Sequence, residues 1–328
     1  MIPYSSKIIS HEYAQHLIHH GWRAADLHVH SNCSFDIRNN PRLSPKKLYE
    51  KSMREGIDFI SFTDHDTIGA YVQLDCNLPG LVYGVEIEVD DTYTIGHKLH
   101  MNVYDIDQLH FDSLMRIAKQ GNTFDVVRYC QQRGLPYSYS HPINTAPWER
   151  LNVEGICDLM WNFPVLEYNM NLIPEMNDLT IRIAEALGKG VMTATDSHWG
   201  EIGKCYTLAK GDTFREFFDN VAQGDAYLVV KDLDERGVNR LLLSYLQAHA
   251  SGEAAKRGEY SSGFELVDKL LKRSRKGANP AVRLPILIIL SAIASSRTMA
   301  RKYLQAERQK VERIKQELQK IPELRDRI

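Results

Sequence analysis

Seven short apolar or β-branched runs recur between residues 24 and 195, and helical patterns separate several of them. The runs are AADLH (24–28), DFISFT (58–63), GLVYGV (80–85), LHMNVY (99–104), PYSYS (136–140), PVLEY (164–168) and VMTAT (191–195). Between them lie segments with helix punctuation. SPKKLYEKSMREG offers Ser44 as N-cap, Pro45 at the first helical position and Gly56 at the end. TFDVVRYCQQRG stops at Gly134, and IPEMNDLTIRIAEALGKG stops at Gly188 or Gly190. Strands that alternate with helices predict a parallel β/α architecture. No G-x-G-x-x-G follows the first run, so a distorted seven-stranded β/α barrel fits better than an open dinucleotide-binding sheet.

Beyond about residue 233 the pattern changes to long, charged helical stretches. The 328 residues suit one large domain with a smaller addition. The expected division is a barrel over 1–233 and an α-helical appendage over 234–328. SGFELVDKLLKRSRKGANP reads as one helix ended by Gly277 and Pro280. In TMARKYLQAERQKVERIKQELQKIPEL, Leu304, Val311, Ile314, Leu318 and Ile321 recur near a 3.5-residue spacing. That repeat is short for a stable coiled coil, so packing on the barrel and self-association (a homo-oligomer through these helices) both stay open. The basic cluster KLLKRSRKG (269–277) is a solvated face or a contact for an anionic partner. LPILIILSAIA (284–294) is too short to span a bilayer, which takes ~20 residues. Pro285 is expected to open its helix.

The ends of the runs carry the chemistry. DLHVHSNCSFD (26–36) holds Asp26, His28, His30, Cys33 and Asp36, all able to bind a divalent metal. Residues two apart on a strand point to one side, so His28 and His30 can grip one ion. Asp64 and His65 follow the second run, Glu86 and Glu88 the third, and His141 the fifth. Asp196 and His198 follow the seventh, while His97 and His100 sit at the start of the fourth. Such groups collect where a β/α barrel carries its active site. Nitrogen and oxygen donors without a required thiolate favour Zn²⁺, Mn²⁺ or Fe²⁺. Cys33 reads as a small buried residue.

DLHVHS, TDHDT, GVEIEV, an LH before an apolar run, SHP and TDSH stand in the order found in the PHP (polymerase and histidinol phosphatase) domain family. The chain resembles that family over about residues 24–230. The resemblance implies a distorted seven-fold β/α barrel with a trinuclear metal centre, and two or three divalent ions are expected to bind. One would be held by His28, His30, Glu86 and Asp196. A second would share Glu86 and add His100 and His141. A third would take Asp36, His65 and His198. Glu88 competes with Glu86, and His97 with His100; the family pattern favours Glu86 and His100. LEYNMN resembles a family segment near the site, where Glu167 and Asn169 either bond the ligands or only cap a strand.

The implied activity is metal-dependent phosphoester hydrolysis, in which a metal-bridged hydroxide attacks phosphorus. No protein nucleophile is needed, and neither a G-x-S-x-G elbow nor a P-loop occurs. Asp64, beside His65, is the candidate for orienting the water or shuttling a proton. The expected substrate is a small phosphomonoester such as a nucleotide or metabolite phosphate. The alternatives are a nuclease acting on nucleic-acid ends, such as a 3'-5' exonuclease, and a regulatory module whose helical tail mediates association. Arg38, Arg42 and Lys98 are either phosphate contacts or solvated charges. A net charge of −2 gives no global bias towards nucleic acid. Five scattered cysteines without a C-x-x-C pair, and no secretory h-region, predict a cytoplasmic protein with reduced thiols.

Overall fold

The computed structural model describes residues 6–37, 40–75, 77–92, 94–144, 152–251, 269, 288, 290–322 and 324. Arg38, Cys76, Pro285 and the KLLKRSRKG cluster apart from Lys269 lie outside the described residues, as does the SGFELVDKLLKRSRKGANP helix apart from that lysine. The strands are β1 (Arg23–Val29), β2 (Phe59–Phe62), β3 (Leu81–Val82), β4 (Gly84–Asp91), β5 (His97–Tyr104), β6 (Tyr137–Tyr139), β7 (Val165–Asn169), β8 (Gly190–Ala194), β9 (Tyr206–Ala209) and β10 (Ala226–Val229). The helices are α1 (His11–His19), α2 (Pro45–Arg54), α3 (Gly69–Val72), α4 (Gln108–Ala118), α5 (Thr123–Arg133), α6 (Val153–Asn162), α7 (Pro174–Leu187), α8 (Phe214–Ala222), α9 (Glu235–Ser251) and α10 (Arg297–Leu318). The predicted helix ends hold: Gly134 and Gly188 cap α5 and α7 in the left-handed conformation that glycine tolerates.

The α/β class is as expected, but the strands form two mixed sheets and no closed barrel among the described residues. One sheet has the order β10-β9-β1-β2-β3 and the other β4-β5-β6-β7-β8. The single run GLVYGV divides between them at Tyr83, so β3 and β4 belong to different sheets. β4 pairs antiparallel with β5, and β5 with β6, which breaks the all-parallel expectation. The strands β9 and β10 were not expected from the sequence, and they add antiparallel pairs beside β1. Single parallel bridges, Val29 to Ser197 and His65 to Glu86, join the sheets. Both bridges involve or adjoin candidate ligands.

A register irregularity in β1 between Asp26 and Val29 decides which side chains face inward. Ala25 and Leu27 belong to a core shared by both sheets and α8, whereas Ala24 and Val29 pack outward with α1 and α2. Strict alternation would put Val29 on the side of Ala25 and Leu27. The extra residue of the bulge reverses the parity, so His28 and His30 face inward above that core. Gly84 lets β4 approach β2: a Cβ there would lie 2.4 Å from Ser61 Oγ. This close approach brings Glu86 beside His65.

The last described helix does not stand apart. Ala300, Val311, Ile314 and Leu318 of α10 and Val238 of α9 are buried in the same cluster as residues of β4–β8, α6 and α7. Leu304 and Ile321 pack partly against it. Of LPILIILSAIA, Leu290 and Ala294 are buried while Ile288 is exposed; 284–287 and 289 lie outside the described residues. No helix among the described residues is long and apolar enough to cross a membrane.

Candidate metal centre

His28, His30, Asp36, His65, Glu86, His100, His141, Asp196 and His198 converge on one place between the sheets. The centre of the cluster is the Glu86 carboxylate, fully buried in the middle of β4 and not at a strand end as expected. Its two oxygens face different partners. Oε2 lies 3.3 Å from His28 Nε2, 3.3 Å from His30 Nε2 and 3.0 Å from His65 Nδ1. Oε1 lies 3.3 Å from His100 Nδ1 and 3.3 Å from His141 Nε2. Asp196 Oδ1 approaches His30 Nε2 at 3.1 Å and His28 Nε2 at 3.4 Å. Asp36 Oδ2 lies 2.6 Å from His198 Nε2 and 3.9 Å from His65 Nε2.

Three groups of donor atoms lie close enough to share an ion: His28, His30 and Asp196; His65, Glu86 and His100; and His30, Asp36, His65 and His198. His30 and His65 thus each belong to two groups, where the sequence had placed each with one ion. The donors fit divalent cations. Seven buried polar atoms of the cluster have no hydrogen-bond partner among the described residues: His30 Nδ1, Asp36 Oδ1, His65 Nδ1, both Glu86 oxygens, His100 Nδ1 and Asp196 Oδ1. Buried polar atoms are normally paired, and a cation would satisfy these together.

The surrounding network aims the donors. Glu167 on β7 takes the His28 Nδ1–H at 2.9 Å and the His141 backbone N–H at 3.1 Å. That bond turns Nε2 of His28 towards Glu86 and Asp196, the side on which an ion would be held. Asn169 donates to Glu167 Oε1 and to Asp196 Oδ2, each at 3.1 Å, and Asn171 donates to the Asp196 carbonyl at 2.8 Å. His141 and Asp196 hold φ values of 34° and 43°, a costly conformation for a non-glycine residue. These side-chain bonds hold them there. LEYNMN therefore bonds the ligands as well as ending a strand. On the other side Glu88 Oε2 lies 3.4 Å from His100 Nε2, which keeps Nδ1 towards Glu86.

Charge follows from this crowding. Burial alone lowers the His28 imidazole, but Glu167, Glu86 and Asp196 outweigh it and raise it well above its usual value. The same balance raises His100, through Glu86 and Glu88, and raises His198 to about 10, through Asp36 and Asp196. Burial alone would raise Glu86, and the imidazoles of His28 and His100 hold it well below the ordinary carboxylate range. His65 drops to about 3, mainly through burial, so its ring is neutral and ready to ligate.

The other residues named from the sequence surround the cluster. Asp64 accepts the Ser31 N–H and O–H, both at 2.6 Å. It pins the loop that carries Ser31 after His30. Asp26 bonds the Thr195 N–H and hydroxyl at 3.1 and 2.7 Å, tying β1 to the end of β8. His97 lies on the opposite face of β5 from His100, three residues away, with Nδ1 3.2 Å from the Ile95 carbonyl. Cys33 is half-buried and accepts from Gln73 Nε2 at 2.9 Å. Arg42 is exposed in the turn Pro41–Leu43, whereas Lys98 reaches Glu88 at 2.8 Å. Sequence reasoning missed Ser31 and Asn171, and an acidic residue inside an apolar strand was the available signal for Asp26.

No protein-family model matches the chain, and no curated protein sequence does. Solved structures share its chain path in part. PsfC from Pseudomonas syringae is 14% identical, with a TM-score of 0.49, over 70% of this chain and 99% of that one. A Bifidobacterium adolescentis protein, described provisionally as a metal-dependent phosphoesterase, is 17% identical, with a TM-score of 0.45, over 61% and 96%. The lesion-specific endonuclease EndoQ of Pyrococcus furiosus is 13% identical, with a TM-score of 0.45, over 63% of this chain and 57% of that one. The chain resembles the PHP domain family. Six motifs occur in the family's order, and the structure gathers their histidines and carboxylates into one cluster. PHP-like motifs thus coexist here with two mixed sheets.

Proposed function

We propose that the chain is a PHP-type metal-dependent phosphoesterase that hydrolyses a phosphomonoester of a small molecule. The observation that carries this reading is the Glu86 carboxylate, whose two oxygens face two separate sets of imidazoles. A carboxylate so placed suits a bridge between cations. Two or three bound divalent ions, of the Zn, Mn or Fe kind, would supply an acidified water and withdraw charge from the phosphoryl group. The protein's share is orientation. Glu167 fixes the His28 tautomer, Glu88 fixes that of His100, and Asn169 and Asn171 hold Asp196. Asp26 and Asp64 brace the loops after β8 and β1. No protein nucleophile is required, because electrostatic stabilisation dominates phosphoryl transfer.

Residues 1–233 form the hydrolytic unit in this reading, with 234–328 as a helical segment. The apolar stripe of α10, buried against the main core, supports a bracing task over self-association. Cys33, Cys130, Cys157 and Cys205 form no disulfide among the described residues, which suits the reducing, cytoplasmic setting of this reading. The test is hydrolysis of a chromogenic phosphomonoester by metal-loaded protein, followed by a screen of nucleotides, sugar phosphates and short oligonucleotides. Turnover of monoesters that is lost on chelation and restored by Mn²⁺ or Zn²⁺ is expected. Turnover of oligonucleotides alone would replace the small-molecule reading with a nuclease, and no turnover of any ester by loaded protein would overturn both.

A further inference from the structure

The β4–β5 hairpin continues past Glu86 towards the mouth of the site. In its antiparallel register Glu86 faces Asn102, Glu88 faces His100 and Asp90 faces Lys98. Directly paired residues share a face, and so do residues two apart along each strand. Glu86, Glu88, Lys98 and His100 therefore line one face, rising from the buried centre to the surface. Lys98 leans along this ladder towards the centre. Its Nζ lies 2.8 Å from Glu88 Oε1, the diagonal neighbour one step deeper than the directly opposite Asp90. Glu88 Oε2 meets His100 Nε2 at 3.4 Å, and His100 Nδ1 meets Glu86 Oε1 at 3.3 Å. Three contacts thus connect the ammonium to the carboxylate at the heart of the cluster. The Lys98 side chain is 27% exposed, so its charge is only partly solvated.

We infer that Lys98 binds a non-bridging oxygen of the substrate's phosphoryl group, with Glu88 as the positioning residue that aims it, so that dianionic monoesters are preferred over diesters. The inference rests on the phosphoesterase reading above. An ammonium is a compact point charge able to donate to phosphoryl oxygens, and bonds of this kind are stronger than neutral ones. A monoester dianion carries one more negative charge than a diester for Lys98 to meet. Glu88 touches both Lys98 and His100, so it couples the place of the cation to the place of the imidazole.

The experiment measures binding of inorganic phosphate by calorimetry to metal-loaded wild type, Lys98→Met, Lys98→Arg, Glu88→Gln and the Lys98→Met/Glu88→Gln double variant. Metal content is measured on each. Lys98→Met should hold as much metal as wild type yet bind phosphate about 10- to 100-fold more weakly. It should raise KM for a phosphomonoester more than it lowers kcat, and change kcat/KM for a diester far less. Lys98→Arg should keep part of the affinity. Glu88→Gln should weaken phosphate binding, and at equal metal content the double variant should bind no more weakly than Lys98→Met alone, because the Lys98–Glu88 contact is shared. Unchanged phosphate affinity in Lys98→Met, or equal losses for monoester and diester, would overturn the inference while the phosphoesterase reading stood. Metal-loaded wild type that neither binds phosphate nor hydrolyses an ester would overturn both.

Discussion

On the β1–β8 side of the cluster the candidate ligands stand on or beyond the ends of strands; on the β4–β5 side they stand inside a hairpin. His28 and His30 follow a bulge, His141 and Asp196 carry left-handed backbone, and Glu167, Asn169, Asn171, Asp26 and Asp64 hold the loops in place. Glu86 and His100 have no loop to brace. Eight consecutive residue pairs from Gly84–Tyr104 to Asp91–His97 fix their backbone by register, and Glu88 orients the His100 ring. The contrast shows two ways to preorganise a metal site. Loops give freedom of aim and need a hydrogen-bonded scaffold, whereas a strand pair gives rigidity and dictates which residues can meet.

The largest expected break comes from Glu86→Gln, because Glu86 serves both sides. Turnover should fall by about 10³-fold or more, with the circular-dichroism spectrum retained. Near wild-type turnover would move the central role to Glu88. Next is the scaffold of the loop side. Glu167→Ala releases both His28 and the His141 N–H, and should weaken metal binding by about 10- to 100-fold in a competition titration. An unchanged affinity would mean that the loops hold themselves.

These expectations also mark how far the sequence could be read. The nine candidate ligands were legible through the motifs that carry the family resemblance, although Glu86 and His100 stand inside strands and not at their ends. The sheet topology was not legible. GLVYGV reads as one strand, yet Leu81 and Val82 pair with β2 while the chain from Gly84 pairs with β5 in a second sheet. The partners of Asp64 were not legible for a related reason. Adjacency to His65 in sequence says nothing of direction, and successive side chains diverge, so Asp64 turns to Ser31.

The hairpin side is probed by Gly84→Ala. A Cβ 2.4 Å from Ser61 Oγ and 3.1 Å from the Val103 carbonyl oxygen must displace β4 or the Ser61 hydroxyl. The cost should be about 1–3 kcal/mol in denaturant unfolding, with weaker metal binding as Glu86 moves from His65. Full stability and metal affinity would show that the hairpin tolerates a shift. The pH dependence covers both sides. In the metal-free protein His28, His100 and His198 are raised above their usual value near 6.5. Their contribution to stability is complete below that value and is lost as pH rises through the raised values, about 10 for His198. Ions compete with those protons, so metal affinity should climb from pH 6 to pH 9, and a flat profile would contradict the assignment of these imidazoles. The smallest effect belongs to Asp64→Asn, which keeps an oxygen for the Ser31 N–H. Turnover should stay within about tenfold of wild type; a larger loss, beyond the ~10²-fold typical of general acid–base groups, would return Asp64 to proton transfer.

Elemental analysis of protein purified without chelator tests the central claim most directly, with Glu86→Gln measured beside wild type. The account predicts two to three divalent ions per wild-type chain and a clear loss in the variant. Fewer than one ion per wild-type chain, even after Mn²⁺ or Zn²⁺ is added, would contradict it.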